Sequence, residues 1–287
     1  MMNKQAAELY SQYALNRIDR RQFLERLAVL AGGMAAAYAL LPVLEDTTAL
    51  AAISAADDGR LSLGKVQFPS PGGTMLGYEA RAKDAGKLPA VLVVHENRGL
   101  NPHIEDVTRR LALAGFLALA PDALSQQGST PADQEQAIAL IKGLDMGRTV
   151  QNFTAAAAYL KTHPHSTGRV GVVGFCWGGA IANNLAVHSA DISAAVPYYG
   201  MQPPIEEVVK IKASLLLHYA ELDERINQGI PALKEALAQH RIDHELYMYP
   251  GTQHAFNNDT NPARYNQAAA ELAWQRTIDF LTRKLKG

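Results

Sequence analysis

The chain has 287 residues, 48% hydrophobic and 19% charged, with a formal net charge of −1; that suits one large α/β domain or two small ones around a substantial core. The charge balance leaves no basic footprint for nucleic acid. A lone cysteine excludes an internal disulfide framework, and there is no CxxC pair for zinc.

Residues 1–56 differ from the rest. "NRIDRRQFLERL" carries Arg20 and Arg21, followed by Gln22, Phe23 and Leu24, and the run Leu27–Leu44 after it has no charge. A small-residue stretch, "ALAAISAADDG", follows. A basic start, a mildly apolar run and an Ala-x-Ala-like end are the anatomy of a secretory signal. The arginine pair with Phe23 and Leu24 resembles the bacterial twin-arginine export signal, with cleavage near Ala51 or Ala56. The implied partner is an export machinery, and the implied location is the periplasm or beyond. A cleaved segment leaves no stable membrane association. The alternatives are an uncleaved anchor and a helix packed on a cytoplasmic domain; Gly32, Gly33 and Pro42 make the run short for a span.

Residues 57–287 read as one domain. "RLSLGKVQF" (60–68) and "TMLGYEAR" (74–81) flank Pro71, Gly72 and Gly73 as a hairpin. "PAVLVVHE" (89–96) is a β-branched run suited to a strand buried on both faces. Residues 101–115 have helical spacing, with Asn101 as N-cap and Pro102 just inside. The strand "FLALAPD" (116–122) and helices over 131–143 and 148–163 follow. "RVGVVGF" (169–175) is a strand and 177–188 a helix. Strands at 192–200, 213–220 and 243–250, a helix at 229–240 and a last amphipathic helix at 262–285 complete the chain. Such alternation predicts an α/β fold with a mostly parallel central sheet and helices on both faces. The nine histidines are scattered, and the close pairs His163–His165 and His240–His244 sit at element ends with no Cys or carboxylate cluster. They read as surface residues, and no metal or cofactor is expected.

Cys176 is either a small buried hydrophobe, as free cysteine often is, or a nucleophile on a sharp turn. It stands between a strand and a helix in Gly174-Phe175-Cys176-Trp177-Gly178, which fits G-x-nucleophile-x-G. Side chains at the two glycine positions would clash with neighbouring strand and helix. The turn places the sulfur at a helix N-terminus, where the dipole favours thiolate and the Trp177 N–H can serve an oxyanion. In this architecture the acid and the histidine follow the nucleophile, each after a later strand. Asp223 and His254 occupy those places, at the sheet edge where open α/β sheets bind ligands. Otherwise Asp223 caps a helix and His254 is an exposed loop residue.

"HENRG" (95–99), "GFCWGG" (174–179), "ELDERIN" (221–227) and "YPGTQHAFNND" (249–259) together resemble the dienelactone hydrolase family over about residues 60–285. The resemblance implies the α/β-hydrolase fold and an esterase-type, carboxymethylenebutenolidase-like hydrolase with Cys176, His254 and Asp223 as triad. It implies that Glu96 lies beside the thiol and helps form the thiolate, and that the Asn97 N–H joins that of Trp177 in the oxyanion hole. A carboxylate ending a buried apolar strand independently demands a partner or a task; a salt bridge with Arg98 is the alternative. The family's carboxylate-binding arginines are absent: Gln126 stands at about one position and Asn258 at the other, with Ala255 in place of a serine. A neutral ester, lactone or thioester is therefore the expected small-molecule substrate, with Arg98, Gln126 and Tyr198 as candidate substrate-binding residues. Tyr198 and Tyr199 line the pocket or belong to the core. A non-catalytic protein binding a small ligand on the same fold is the alternative function.

Overall fold

The computed structural model describes residues 20–34, 36–38 and 54–286, with positions 6, 9, 13 and 18 before them. The end of the apolar run and the cleavage position near Ala51 lie outside the described residues. Helix α1 (Arg20–Ala31) starts at the arginine pair. Its buried Phe23 and Leu27 gather with Ala6, Leu9, Ile18 and Ala37 in a cluster of their own. No helix among the described residues is long and apolar enough to cross a membrane.

Eight strands form one sheet: β1 (Leu61–Ser70), β2 (Gly73–Ala82), β3 (Leu88–Val94), β4 (Leu117–Pro121), β5 (Ser166–Phe175), β6 (Ile192–Tyr198), β7 (Ser214–Ala220) and β8 (His244–Tyr249). Their order is β1-β2-β4-β3-β5-β6-β7-β8. The β1–β2 hairpin is antiparallel, β2 joins β4 antiparallel, and β3 to β8 run parallel. The order reverses at β3, so a crevice opens between the carboxyl ends of β3 and β5.

Helices cover both faces, as a parallel sheet requires. They are α2 (Pro102–Leu113), α3 (Gln134–Lys142), α4 (Met146–Thr162), α5 (Trp177–His188), the single turn α6 (Glu224–Asn227), α7 (Ile230–Gln239) and α8 (Gln267–Leu285). Strand alternation sends Ala90, Leu92 and Val94 of β3 toward Phe153 and Leu160 of α4, Ile181 and Leu185 of α5 and Leu237 of α7. Val91 and Val93 face Val107 and Leu111 of α2 and Phe280 and Leu281 of α8. Asn101 caps α2 by accepting the Ile104 N–H at 3.1 Å. The last helix begins five residues later than its spacing predicts, because Asn266 caps it through the Ala269 N–H and Asn261 starts a separate turn with the Tyr265 N–H. Strand β3 ends at Val94, two residues before Glu96. There the Glu96 carbonyl accepts the Gly99 N–H in a turn.

The register brings the strand ends level. Val94 pairs with Gly174, Phe175 with Tyr198 and Ala220 with Tyr249. The residues just beyond, 95–97, 176, 199, 223 and 254, thus share one edge of the sheet.

Candidate active site

Cys176 sits between β5 and α5 at φ 56° and ψ −113°, a conformation that L-residues other than glycine rarely adopt. The turn closes only because its flanks lack side chains. A Cβ on Gly174 would lie 2.0 Å from the Gly178 carbonyl oxygen, and one on Gly178 would lie 2.3 Å from that of Val94. The Cys176 N–H is fixed on the Tyr198 carbonyl at 3.0 Å. The sulfur is half-buried and lines a cavity of about 380 Å³.

His254 Nε2 lies 3.0 Å from Cys176 Sγ, and its Nδ1 bonds Asp223 Oδ2. Asp223 makes no side-chain cap to α6; its carboxylate goes to the imidazole instead. The two loops are tied together: Leu222 N–H donates to the Thr252 carbonyl at 2.9 Å, and Gly251 N–H to Glu221 Oε2 at 2.7 Å. Burial alone would lower the His254 pKa. The Asp223 carboxylate and the Cys176 sulfur outweigh it and raise the value to about 9. The ring therefore holds a second proton readily at neutral pH. Asn97 and Trp177 both line the cavity, and among the described residues neither backbone N–H is spent on another main-chain acceptor.

Glu96 is buried but is held by Asn258, whose Nδ2 donates to Oε2 at 2.6 Å. Its other oxygen, Oε1, has no hydrogen-bond partner among the described residues. The Glu96 carboxylate is hydrogen-bonded by the neutral amide at position 258, while the sulfur is bonded by His254. No ion pair joins Glu96 to Arg98, which is half-buried and outside the cavity wall. Replacing Asn258 by alanine strands a buried carboxylate. We expect a loss of about 1–3 kcal/mol of stability, read as a lower urea midpoint.

Two expectations are corrected. The exposed Gln126 is tied to the hairpin, donating to the Thr74 carbonyl at 3.1 Å, and does not reach the cavity. Tyr198 is a core residue: its hydroxyl meets Thr277 Oγ1 at 2.6 Å under α8. Its neighbour Tyr199, at φ 38°, lines the cavity beside His254, with ring centroids 5.0 Å apart. Burial and the Glu96 charge push the Tyr199 hydroxyl pKa well up, so it stays protonated. Among the described residues it has no hydrogen-bond partner.

The rest of the wall comes mostly from residues outside the motifs: Ile138, Ile141 and Lys142 of α3, Met146 of α4, Ala180 of α5 and Met201, with Arg225 and Ile226 from "ELDERIN". The lining is largely apolar, with Asn97 and Tyr199 among its polar members and the exposed cations Lys142 and Arg225 at its rim. The site is thus a largely apolar cavity with a sulfur–imidazole–carboxylate chain at its base and two wall residues, Asn97 and Trp177, whose backbone N–H groups no main-chain acceptor takes among the described residues, a set suited to acyl transfer.

The model of the dienelactone hydrolase family matches residues 75–285. A protein of Methylorubrum extorquens, provisionally assigned as a carboxymethylenebutenolidase, is 33% identical in an alignment covering 93% of this chain and 95% of that one. One of Escherichia coli strain K12 with the same provisional assignment is 33% identical over 78% of this chain and 88% of its own. Among solved structures, a provisionally assigned dienelactone hydrolase of Klebsiella pneumoniae superposes with a TM-score of 0.72 at 31% identity, covering 78% of this chain and 99% of that one.

Proposed function

We propose that this chain, which belongs to the dienelactone hydrolase family and has the α/β-hydrolase fold, hydrolyses an ester or lactone through a Cys176–His254–Asp223 triad and a thioester. The supporting observation is the imidazole of His254, bonded to Asp223 on one side and 3.0 Å from Cys176 Sγ on the other. His254 Nε2 takes the thiol proton and the thiolate adds to the carbonyl carbon. The carbonyl electron pair moves onto oxygen, which the Asn97 and Trp177 N–H groups hold. The C–O bond then breaks, and the leaving alkoxide takes the proton from His254. Water next gives a proton to His254 and adds to the thioester. The C–S bond breaks and Cys176 is restored. Asp223 keeps the ring oriented and stabilises its charged form. Glu96 assists thiolate formation by leaving Asn258 when substrate enters; its unpartnered oxygen favours such a move.

The apolar walls favour a neutral ester or lactone over a carboxylated one. Turnover of p-nitrophenyl acetate, a carboxylated enol-lactone and the methyl ester of that lactone tests both points. Preference for the methyl ester supports a neutral substrate. Preference for the carboxylate assigns its recognition to Arg225 and Lys142. A folded protein that turns over none of the three overturns the hydrolase reading.

We further propose that the segment before Ser54 directs twin-arginine-type export and is cleaved there or up to three residues earlier. Ser54 donates its N–H at 2.7 Å and its hydroxyl at 2.5 Å to Asp106 Oδ1, and Arg109 Nε donates to Ser54 Oγ at 3.1 Å. Asp106 and Arg109 are buried charges on α2, which lose these partners if the chain is cut at Ala56. Intact mass of the exported protein should place its N-terminus between Ala51 and Ser54, and Arg20→Lys with Arg21→Lys should leave the precursor unprocessed. A full-length chain recovered from the cytoplasm alone would overturn this proposal.

A further inference from the structure

His95 follows β3, is fully buried, and has no step in the proton path of Cys176, His254 and Asp223. Both ring nitrogens have fixed partners. Nδ1 lies 2.6 Å from the Glu96 carbonyl oxygen, and Nε2 lies 3.1 Å from the Ala123 N–H nitrogen. A carbonyl only accepts and a backbone N–H only donates. The ring is therefore neutral, with its proton on Nδ1. Burial pushes its pKa down, which favours the same form.

The Glu96 carbonyl shares a peptide plane with the Asn97 N–H. In a planar trans peptide the two point in opposite directions. Drawing the oxygen toward the buried ring aims the N–H the other way, into the cavity that Asn97 lines. The Gly99 N–H reaches the same carbonyl at a longer 3.3 Å, so the imidazole is the closer of two donors. The face of the ring acts on the other donor. It stacks on Trp177, with centroids 5.4 Å apart and planes 13° from parallel. Phe153 closes the group edge-on, 6.4 Å from each ring. Trp177 opens α5 and carries the second oxyanion N–H. The bond to Ala123 anchors the imidazole to the loop after β4, so one side chain links the ends of β3, β4 and β5.

We infer that His95 is the positioning residue of the oxyanion hole, orienting the 96–97 peptide by its Nδ1–H and seating Trp177 by its ring. A flipped 96–97 peptide would present a carbonyl to the substrate oxygen and remove one donor. This role rests on the hydrolase reading above.

The test separates two reactions of one sulfur. Hydrolysis of p-nitrophenyl acetate needs the oxyanion hole. Alkylation by iodoacetamide is displacement at a saturated carbon and needs only the thiolate. His95→Phe keeps the stack on Trp177 and loses both hydrogen bonds. Its kcat should fall by about 10²–10³-fold, the cost of one oxyanion donor, with little change in KM and none in the alkylation rate. His95→Gln restores an amide donor and should recover part of the loss. His95→Met gives the same comparison if the Phe variant does not fold. Wild-type kcat in the Phe or Met variant overturns the inference. So does an equal loss of hydrolysis and alkylation, which marks a disordered site. Wild-type protein that hydrolyses no ester overturns the hydrolase reading first, and this role with it.

Discussion

Replacing Cys176 by alanine should abolish ester hydrolysis, with kcat/KM falling by at least about 10⁴-fold, as when a triad nucleophile is removed. The cavity wall holds no serine, threonine or second cysteine to stand in. Residual rate can come only from the oxyanion donors and from binding. Serine should not rescue it. Its hydroxyl is far less acidic than a thiol, and His254, with a pKa raised to about 9 by Asp223 and the sulfur against the pull of burial, is tuned to a group that gives up its proton easily. Without the sulfur that support weakens, yet the hydroxyl still asks for a stronger base. Progress curves for wild type, Cys176→Ala and Cys176→Ser on p-nitrophenyl acetate decide it. A serine variant with wild-type turnover would show that thiolate chemistry is not the basis of the rate. An alanine variant that retains it would place the nucleophile elsewhere.

The elbow was legible because its sequence reflects hard sterics. With Cβ positions 2.0 Å and 2.3 Å from backbone oxygens at Gly174 and Gly178, few residue choices exist, and the glycines mark the turn. Asp223 and His254 were legible by order, since each parallel strand ends at the same edge. What stayed hidden depends on direction or on distance along the chain. Strand β6 ends at Tyr198, whose ring goes under α8, and the left-handed backbone of Tyr199 just beyond it carries the next ring to the cavity; the pattern "YY" does not say which. Gln126 has the right loop, but its amide is taken by the β1–β2 hairpin. Asn258 and Glu96 are 162 positions apart, and no spacing rule links them. Lys142 and Arg225 look like ordinary exposed cations in the sequence. Only the packing of α3 and the turn of α6 around the crevice bring them to one rim.

Asp223→Asn should cost about as much as a triad acid removed elsewhere, on the order of 10⁴-fold in kcat, without emptying the site. The amide keeps the size of the carboxylate but not its charge, and it can offer Nδ1 a donor where an acceptor is required. The imidazole then takes the wrong tautomer, and its pKa falls for want of the anion that raised it. In wild type, with His254 at about 9, the imidazole stays charged beside the sulfur through neutral pH, so alkylation of Cys176 by iodoacetamide should vary little from mildly acidic to neutral solution. In Asp223→Asn the rate should be low at neutral pH and climb as the pH rises. Stability carries the same signature. A histidine whose folded pKa is raised above its unfolded value of about 6.5 adds stability that is fully present below that value. The contribution is lost as pH rises through about 9. Wild type should therefore lose part of its advantage over Asp223→Asn between neutral and alkaline pH, in urea titrations on the same buffers. A variant with the wild-type alkylation profile would mean that Asp223 positions the ring without charging it. In that case the sulfur, held at a helix N-terminus, would carry the activation on its own.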